Sequence, residues 1–172
     1  MAPSDQGGSP HRIQPKRPRT TVGYFEALCR PVFSAGMSWR VVDAKWAGIK
    51  DAYLDFDPER VGTMTPADVD RLMTDTRVFR NRPKIEATIG NAQTMLGLVD
   101  QFGSMRRYLA SLGDFEQQVR DLKRRFKFVG DMGAYQFLWM VGERVPAWGE
   151  HNVSDTGRNP AGKAASSRSR TR

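Results

Sequence analysis

Cysteine and histidine are scarce in this sequence of 172 residues. Cys29 is the only cysteine, so an internal disulfide is excluded and a reducing compartment is expected. His11 and His151 are the only histidines, and with one cysteine they do not make a convincing structural zinc site. We therefore predict that the protein holds no zinc and needs no other cofactor.

Long apolar runs are also missing from the sequence. No stretch approaches the roughly 20 apolar residues that a membrane-spanning helix needs, and the first residues contain no apolar segment of the secretory type. We therefore expect a cytoplasmic protein. Sustained alternation of apolar and polar residues, the mark of half-buried strands, is absent as well, and this favours an all-α fold.

Positive charge is in excess, with a net charge of +8, and it lies mainly at the two ends of the chain. The first 22 residues hold four basic side chains against one acid, and the last 22 hold five against one. Both ends are rich in Pro, Gly and Ser, which predicts disordered basic tails over 1–21 and 152–172 around a helical domain over 22–151. The tails either attract a polyanion or serve only as solubilising ends.

Between the tails, apolar residues recur three and four positions apart, which predicts one helix after another. The longest pattern covers 85–99 and should end at Gly103. Thr65 followed by Pro66 is typical of a helix start, and Pro31 should stop or kink the first helix. The remaining helices are predicted from residue 24 and over 39–56, 106–112, 115–126 and 131–143.

The segment Phe-Lys-Phe-Val-Gly at 126–130 lies between the last two predicted helices and follows a basic helix end. Unpaired N–H groups at a new helix start can hold a phosphate oxygen, and a glycine allows close approach. The alternative is an ordinary helix–helix joint, since Phe128 occupies a place that is often glycine in such hairpins. The residues predicted to contact DNA phosphate are Arg124, Arg125, Lys127, Phe128, Val129 and Gly130.

A turn of small residues, 34–38, leads into Trp39 at the predicted start of a helix. Small residues leave space for a planar ligand, and a tryptophan at the rim can stack on a base that has left the duplex. The alternative is that Trp39 belongs to the hydrophobic core.

Taken together, these stretches resemble the DNA-3-methyladenine glycosylase I family of helix-hairpin-helix base-excision glycosylases. The matching segments occur in the order of the family and cover roughly residues 25–145. They are Phe25-Glu26, Ala35 to Trp39, Phe56-Asp57-Pro58, Asp68-Val69, Arg71-Leu72, Lys84-Ile85, Ile89 to Ala92 and Phe126 to Gly130, followed by Tyr135 and Phe137.

The resemblance implies an enzyme that flips an alkylated purine out of double-stranded DNA and hydrolyses its N-glycosidic bond, releasing the free base. A base methylated at N3 is cationic and leaves as a neutral molecule, so extrusion, stacking and a positioned water could supply much of the rate. By the match, Trp39 would stack on the flipped base, and Tyr24 could supply a second aromatic wall. The implied protein is a monomer that associates with the nucleoid through DNA.

The sequence departs from the family at both ends and in the base pocket. The Cys- and Trp-rich N-terminal segment of the family is absent, and Trp148 and Asn152 stand where its C-terminal zinc ligands occur. Pro31 stands where members of the family carry a base-recognising glutamate. Glu26 and Asp131 are candidate catalytic substitutes, with an exposed helical carboxylate and a helix N-cap as the alternative roles.

Two further functions therefore stand beside an active glycosylase. One is a catalytically impaired module that binds DNA or lesions on the same scaffold, and the other is a plain helical interaction domain. Glu143 is a remote candidate for positioning water. The basic connector at 77–84 is either a second phosphate-contacting surface or a solvated link, and its cations are Arg77, Arg80, Arg82 and Lys84.

Overall fold

The computed structural model describes residues 13–147, and within that range it contains helices and turns but no strand. The all-α prediction is therefore confirmed. No helix in this range is long and apolar enough to cross a membrane. The helices are α1 (Thr21–Ser34), α2 (Trp39–Ala52), α3 (Pro58–Val61), α4 (Pro66–Thr74), α5 (Arg82–Phe102), α6 (Met105–Ser111), α7 (Phe115–Arg125) and α8 (Asp131–Met140), with a 3-10 turn at Leu54–Phe56.

Helix α5 is the longest element and contacts α1, α3, α4 and α6. Asn81 caps its N-terminus by accepting a hydrogen bond from the Lys84 N–H at 3.2 Å, and Pro83 lies in its first turn. The helix ends at Gly103, whose φ of 84° is left-handed, as the sequence predicts. Its buried residues, including Ile85 and Met95, therefore form the centre around which the other helices pack.

An aromatic cluster joins α1 to α2. Phe56 stacks on Trp46 and Tyr53 with ring centroids 5.1 Å and 5.9 Å apart, and Phe33 packs against all three rings. The predicted helix over 39–56 is wrong in its last turn, because the backbone becomes left-handed from Leu54 to Phe56. Complete burial of Phe56 offsets the cost of that conformation.

Pro31 does not stop the first helix, which continues to Ser34. A proline removes one helical donor, but its carbonyl still accepts a hydrogen bond from the Ala35 N–H at 3.0 Å. Val32 and Phe33, directly after it, are buried in the core. The packing of these two side chains thus outweighs the one lost backbone bond, and the prediction of a stop is corrected.

The N-terminal segment before α1 packs against the end of α8, although it falls in the range predicted as a tail. The Lys16 N–H donates to the Met140 carbonyl at 3.0 Å, and Arg17 lies 3.5 Å from the Glu143 carboxylate. Thr20 then caps α1. Residues 1–12 and 148–172, with both histidines, Trp148 and Asn152, lie outside the described residues, so disorder there stays a prediction.

Candidate base cavity and phosphate-facing hairpin

A cavity of about 320 Å³ lies where the end of α1, the start of α2 and the start of α8 meet. Its volume is at the small end of the roughly 300–1,000 Å³ typical of small-molecule sites. Trp39 is partly exposed and lines the same cavity as the hairpin residues Phe128 and Gly130. The other lining residues are Pro31, Ser34, Ala35, Gly36, Met132, Gly133 and Gln136.

The turn between α1 and α2 places Trp39 at the first position of its helix. The Met37 N–H donates to the Ser34 carbonyl at 2.9 Å, and Gly36 adopts a left-handed φ of 76°, which glycine tolerates without strain. The Ser38 carbonyl accepts a hydrogen bond from the Val42 N–H at 3.2 Å. The indole is therefore attached to a rigid helix start and not to a loose loop.

Lys84 holds this turn from inside the protein. Its ammonium group donates to the Ala35 carbonyl at 2.5 Å and to the Phe33 carbonyl at 3.4 Å. The residue is buried, and the loss of solvation lowers the pKa of Lys84. The sequence analysis placed Lys84 on a basic connector, whereas the structure uses it to position one wall of the cavity.

The hairpin between α7 and α8 is held by one buried side chain. The Asn91 Oδ1 accepts a hydrogen bond from the Lys127 N–H at 2.8 Å, and its Nδ2 donates to the Lys127 carbonyl at 3.0 Å. Val129 anchors the hairpin in the core. Phe128 has a left-handed φ of 59°, so it adopts at this place a backbone conformation that usually favours glycine.

Gly130 caps α8 with an extended backbone, and a Cβ added there would meet open space. The first N–H groups of a helix have no acceptor within it, so they can bind an anion together with the positive end of the helix dipole. This arrangement agrees with the hairpin predicted from the sequence.

The cations beside the hairpin are mostly engaged in ion pairs. Arg124 and Arg125 both bind Asp121, and the Lys123 ammonium lies 2.8 Å from Asp131. Burial raises the pKa of Asp121, but hydrogen bonds from Arg125, Tyr108 and Arg124 bring it below its ordinary value. Of the cations beside the hairpin, Lys127 is the one whose side chain has no ion-pair or hydrogen-bond partner among the described residues. Lys127 is exposed.

Glu26 and Tyr24 are both on α1 but do not line the cavity. The Glu26 carboxylate accepts hydrogen bonds from the Trp46 Nε1 and the Lys50 ammonium, each at 3.0 Å. It precedes Pro31 by five residues, which rotates it by about 140° around the helix. Tyr24 is buried two helical turns before Pro31, about 10 Å from it along α1. Its hydroxyl has no hydrogen-bond partner among the described residues. Burial raises the pKa of Tyr24.

Asp131 lies between two lining residues in sequence but is not itself in the lining. It is the first residue of α8, and Gly130, not Asp131, is the N-cap. Its carboxylate is held by Lys123, as described above. Thus the structure brings Trp39, Phe128 and Gly130 together at one cavity and leaves Glu26, Tyr24 and Asp131 outside its wall.

Sequence reasoning missed two polar residues of the lining, Ser34 and Gln136. Gln136 lies on the same face of α8 as Met132 and Gly133, four and three residues before it. The available signal was a lone amide in the otherwise apolar and aromatic run from Ala134 to Met140. Ser34 was considered only as a small residue of the turn.

Most cations of the basic connector at 77–84 bind other residues of the protein. Arg77 pairs with Asp75 at 2.7 Å and also binds Asp51, and Arg82 binds Asp70. Together with the buried Lys84, three of its four cations have intramolecular partners, and Arg80 is exposed.

The described residues do not fit a zinc site. Within 13–147 no group of three or more His, Cys, Asp or Glu side chains could hold a metal ion. Cys29 is buried in the core, and burial, followed by the nearby Glu26 charge, raises the pKa of its thiol well above the ordinary value. Because a thiolate is the form that binds metal, Cys29 is a poor ligand.

Comparisons with known proteins find relatives of one kind. A family model described as methyladenine glycosylase matches residues 16–125. DNA-3-methyladenine glycosylase 1 of Escherichia coli is 30% identical over 139 residues, which cover 69% of this chain and 74% of that protein. The corresponding enzyme of Haemophilus influenzae is 27% identical over 69% of this chain and 75% of its own length. A solved structure of Staphylococcus aureus 3-methyladenine DNA glycosylase I superposes with a TM-score of 0.68 at 29% identity, covering 76% of this chain and 80% of that one.

Proposed function

The chain belongs to the methyladenine glycosylase family, and from this premise we propose that it excises a 3-methyladenine-like purine from double-stranded DNA as a monomer. One observation carries the proposal: Trp39 and the hairpin residues Phe128 and Gly130 border the same cavity. The relatives named above are DNA-3-methyladenine glycosylases, and the Staphylococcus aureus structure concerns recognition of 3-methyladenine.

In this proposal the hairpin positions the DNA. The N–H groups at the start of α8 bind one backbone phosphate, and Lys127, which has no competing partner among the described residues, adds a positive charge beside it. Arg124 and Arg125 contribute only as far as a phosphate competes with Asp121. These contacts are independent of base identity and hold the duplex while one nucleotide rotates out.

The flipped base enters the cavity and stacks on Trp39. Methylation at N3 makes the purine a cation, so when the bond between C1′ and N9 breaks, its electron pair moves into the ring and the base leaves neutral. A water oxygen bonds to C1′ and releases a proton to solvent. Stacking and phosphate contacts hold the nucleotide out of the duplex during this step.

No carboxylate of the described chain lines the cavity, so the reaction depends mainly on the activated leaving group. Of Asp131 and Glu26, Asp131, one residue from Gly130, is the stronger candidate for positioning the water. Both oxygens of Glu26 already accept hydrogen bonds within the fold.

A base-release assay on methylated duplex DNA tests the proposal. Wild type should release free methylated purine, and Trp39→Ala should lose tenfold or more, consistent with about 1–3 kcal/mol per stacked base. Trp39→Phe keeps an aromatic face and should retain most of the activity. If folded protein in excess over DNA releases no base over hours, glycosylase activity is excluded.

The second candidate function is a lesion-binding module without catalysis, and the specific observation in its favour is Pro31 in the cavity wall. It predicts tight binding to damaged or abasic DNA with no base release. Measured turnover in the same assay rejects it.

A further inference from the structure

The cavity wall carries no charged side chain among the described residues. Within this wall, Pro31 lies close to Gly133, where an added Cβ would be 3.5 Å from the proline Cβ, so α1 and α8 approach closely there. A flipped cationic base placed here would meet aromatic, apolar and uncharged polar groups, with no carboxylate to favour its charge.

Two uncharged polar side chains of the wall lack partners in the described structure. The Ser34 hydroxyl is buried without a hydrogen bond, and the Gln136 amide, on a partly exposed residue, has none either. Ser34 is the buried one of the two, and a buried hydroxyl without a partner is destabilising, so its retention in a cavity wall is typical of a group that a ligand satisfies. Gln136 is the more accessible of the two, so it is the first polar group that a ligand in the cavity would meet.

A primary amide offers a donor and an acceptor side by side. This pair matches the N6 amino group and the N7 acceptor on one edge of adenine, whereas guanine presents two acceptors, O6 and N7, on that edge. An amide in the wall therefore suits an adenine-type base and gives no advantage to a positive charge.

We propose that Gln136, assisted by Ser34, binds the N6/N7 edge of the flipped purine, and that the cavity selects hydrogen-bonding pattern and shape without selecting charge. This inference rests on the proposed function and adds to it a class of ligand that the cavity binds. Neutral adenine-type bases of the same shape should bind as well as cationic ones.

The test uses two isosteric small probes, 3,9-dimethyladeninium, a fixed cation, and 3,9-dimethyl-3-deazaadenine, which is neutral at mildly alkaline pH. Binding is measured by calorimetry with the full chain. Wild type should bind both with affinities within about threefold of each other, far below the tenfold ratio that 1.4 kcal/mol would give. A cation preference of tenfold or more would overturn the inference.

Variants at Gln136 separate hydrogen bonding from charge. Gln136→Met should weaken binding of both probes by roughly three- to tenfold, as expected for a lost neutral hydrogen bond. Gln136→Glu should favour the cation over the neutral probe by about tenfold or more, since a charged acceptor strengthens the contact. Gln101→Met, on the exposed end of α5, is the matched control and should change neither affinity. Unchanged binding in Gln136→Met would refute the assignment.

Ser34→Ala distinguishes a ligand contact from a structural one. Removal of an unpartnered buried hydroxyl should leave the melting temperature unchanged or raise it, while probe binding weakens. A lower melting temperature with unchanged binding would assign Ser34 to structure alone. Base release from methylated DNA by wild type is measured in parallel. If wild type releases the base but the Gln136 variants have no effect, only this inference is refuted. If wild type neither releases the base nor binds the probes, the proposed function is refuted as well.

Discussion

The two turns that border the cavity differ in whether they present backbone groups or side chains. The α7–α8 hairpin presents backbone N–H groups at the start of α8, whereas the α1–α2 turn and the adjacent face of α8 present individual side chains to the cavity. Backbone chemistry tolerates an unusual residue such as Phe128, provided that the conformation is kept. Side-chain chemistry changes with one replacement, and Pro31 in the cavity wall is an example.

Each turn also depends on one polar anchor from α5. Asn91 binds the backbone of the hairpin, and Lys84 binds the carbonyls of the α1–α2 turn. The two anchors lie seven residues apart, which is two turns of one helix. A single rigid element therefore sets the distance between the hairpin and the turn before Trp39.

Asn91→Ala should have the largest effect on stability, and it acts on the hairpin. It leaves the Lys127 N–H and carbonyl without their partner, and we expect the free energy of unfolding to fall by about 2–4 kcal/mol. Urea denaturation measures this loss, and DNA binding should weaken with it. Gln93→Ala, which removes an exposed bond to the Gly62 carbonyl, is the control and should cost under about 1 kcal/mol. Equal losses in the two variants would contradict the anchoring role.

Lys84→Met should have an intermediate effect, on the base side. Loss of the donor to the Ala35 carbonyl should cost about 1 kcal/mol and loosen the turn before Trp39, so base release falls while phosphate-dependent DNA binding is kept. Equal loss of both activities would argue against separate anchors.

The same pair of proteins gives a pH test. Because burial lowers the pKa of Lys84, the unfolded chain binds more protons than the folded one between the folded-state pKa and 10.5. The stability of wild type relative to Lys84→Met should therefore rise as the pH increases through that window. Urea denaturation from neutral pH to about pH 10 measures the difference, and a constant difference would contradict the burial of the charge.

Lys127→Ala should have the smallest effect, and it tests which cations beside the hairpin bind DNA phosphate. Its backbone bonds to Asn91 remain, so stability should not change, but the slope of log affinity against log salt should decrease by about 0.9 for one lost phosphate contact. Arg124→Ala should change the slope less, because Asp121 already binds that guanidinium. An equal change in both variants would show that the ion pair opens freely on DNA.

Much of the fold and part of the site could be predicted from local patterns. The capping box of Thr65 with Asp68, the left-handed Gly103 and the break at 126–130 all act within a few residues, and the structure contains each of them. The turn of small residues leads into Trp39, which lines a cavity, while its stacking on a base stays a prediction.

The predictions that failed depended on long-range packing. Pro31 remains helical because its neighbours are buried, and the helix through Phe56 breaks because that ring is needed in the core. The predicted contact of Arg124 and Arg125 with DNA phosphate stays a prediction, and the helical spacing that gathers these cations also places Asp121 beside them.

The sequence by itself determined where the helices begin, how the hairpin presents its N–H groups and that an indole opens α2, because caps, periodicity and turn residues act on their near neighbours. Only the tertiary structure decided which side chains face the cavity. The cavity wall joins residues 31–39 to 128–136, segments about a hundred positions apart, and no local pattern specifies that Gln136 lines it while Glu26 turns toward Trp46 and Lys50.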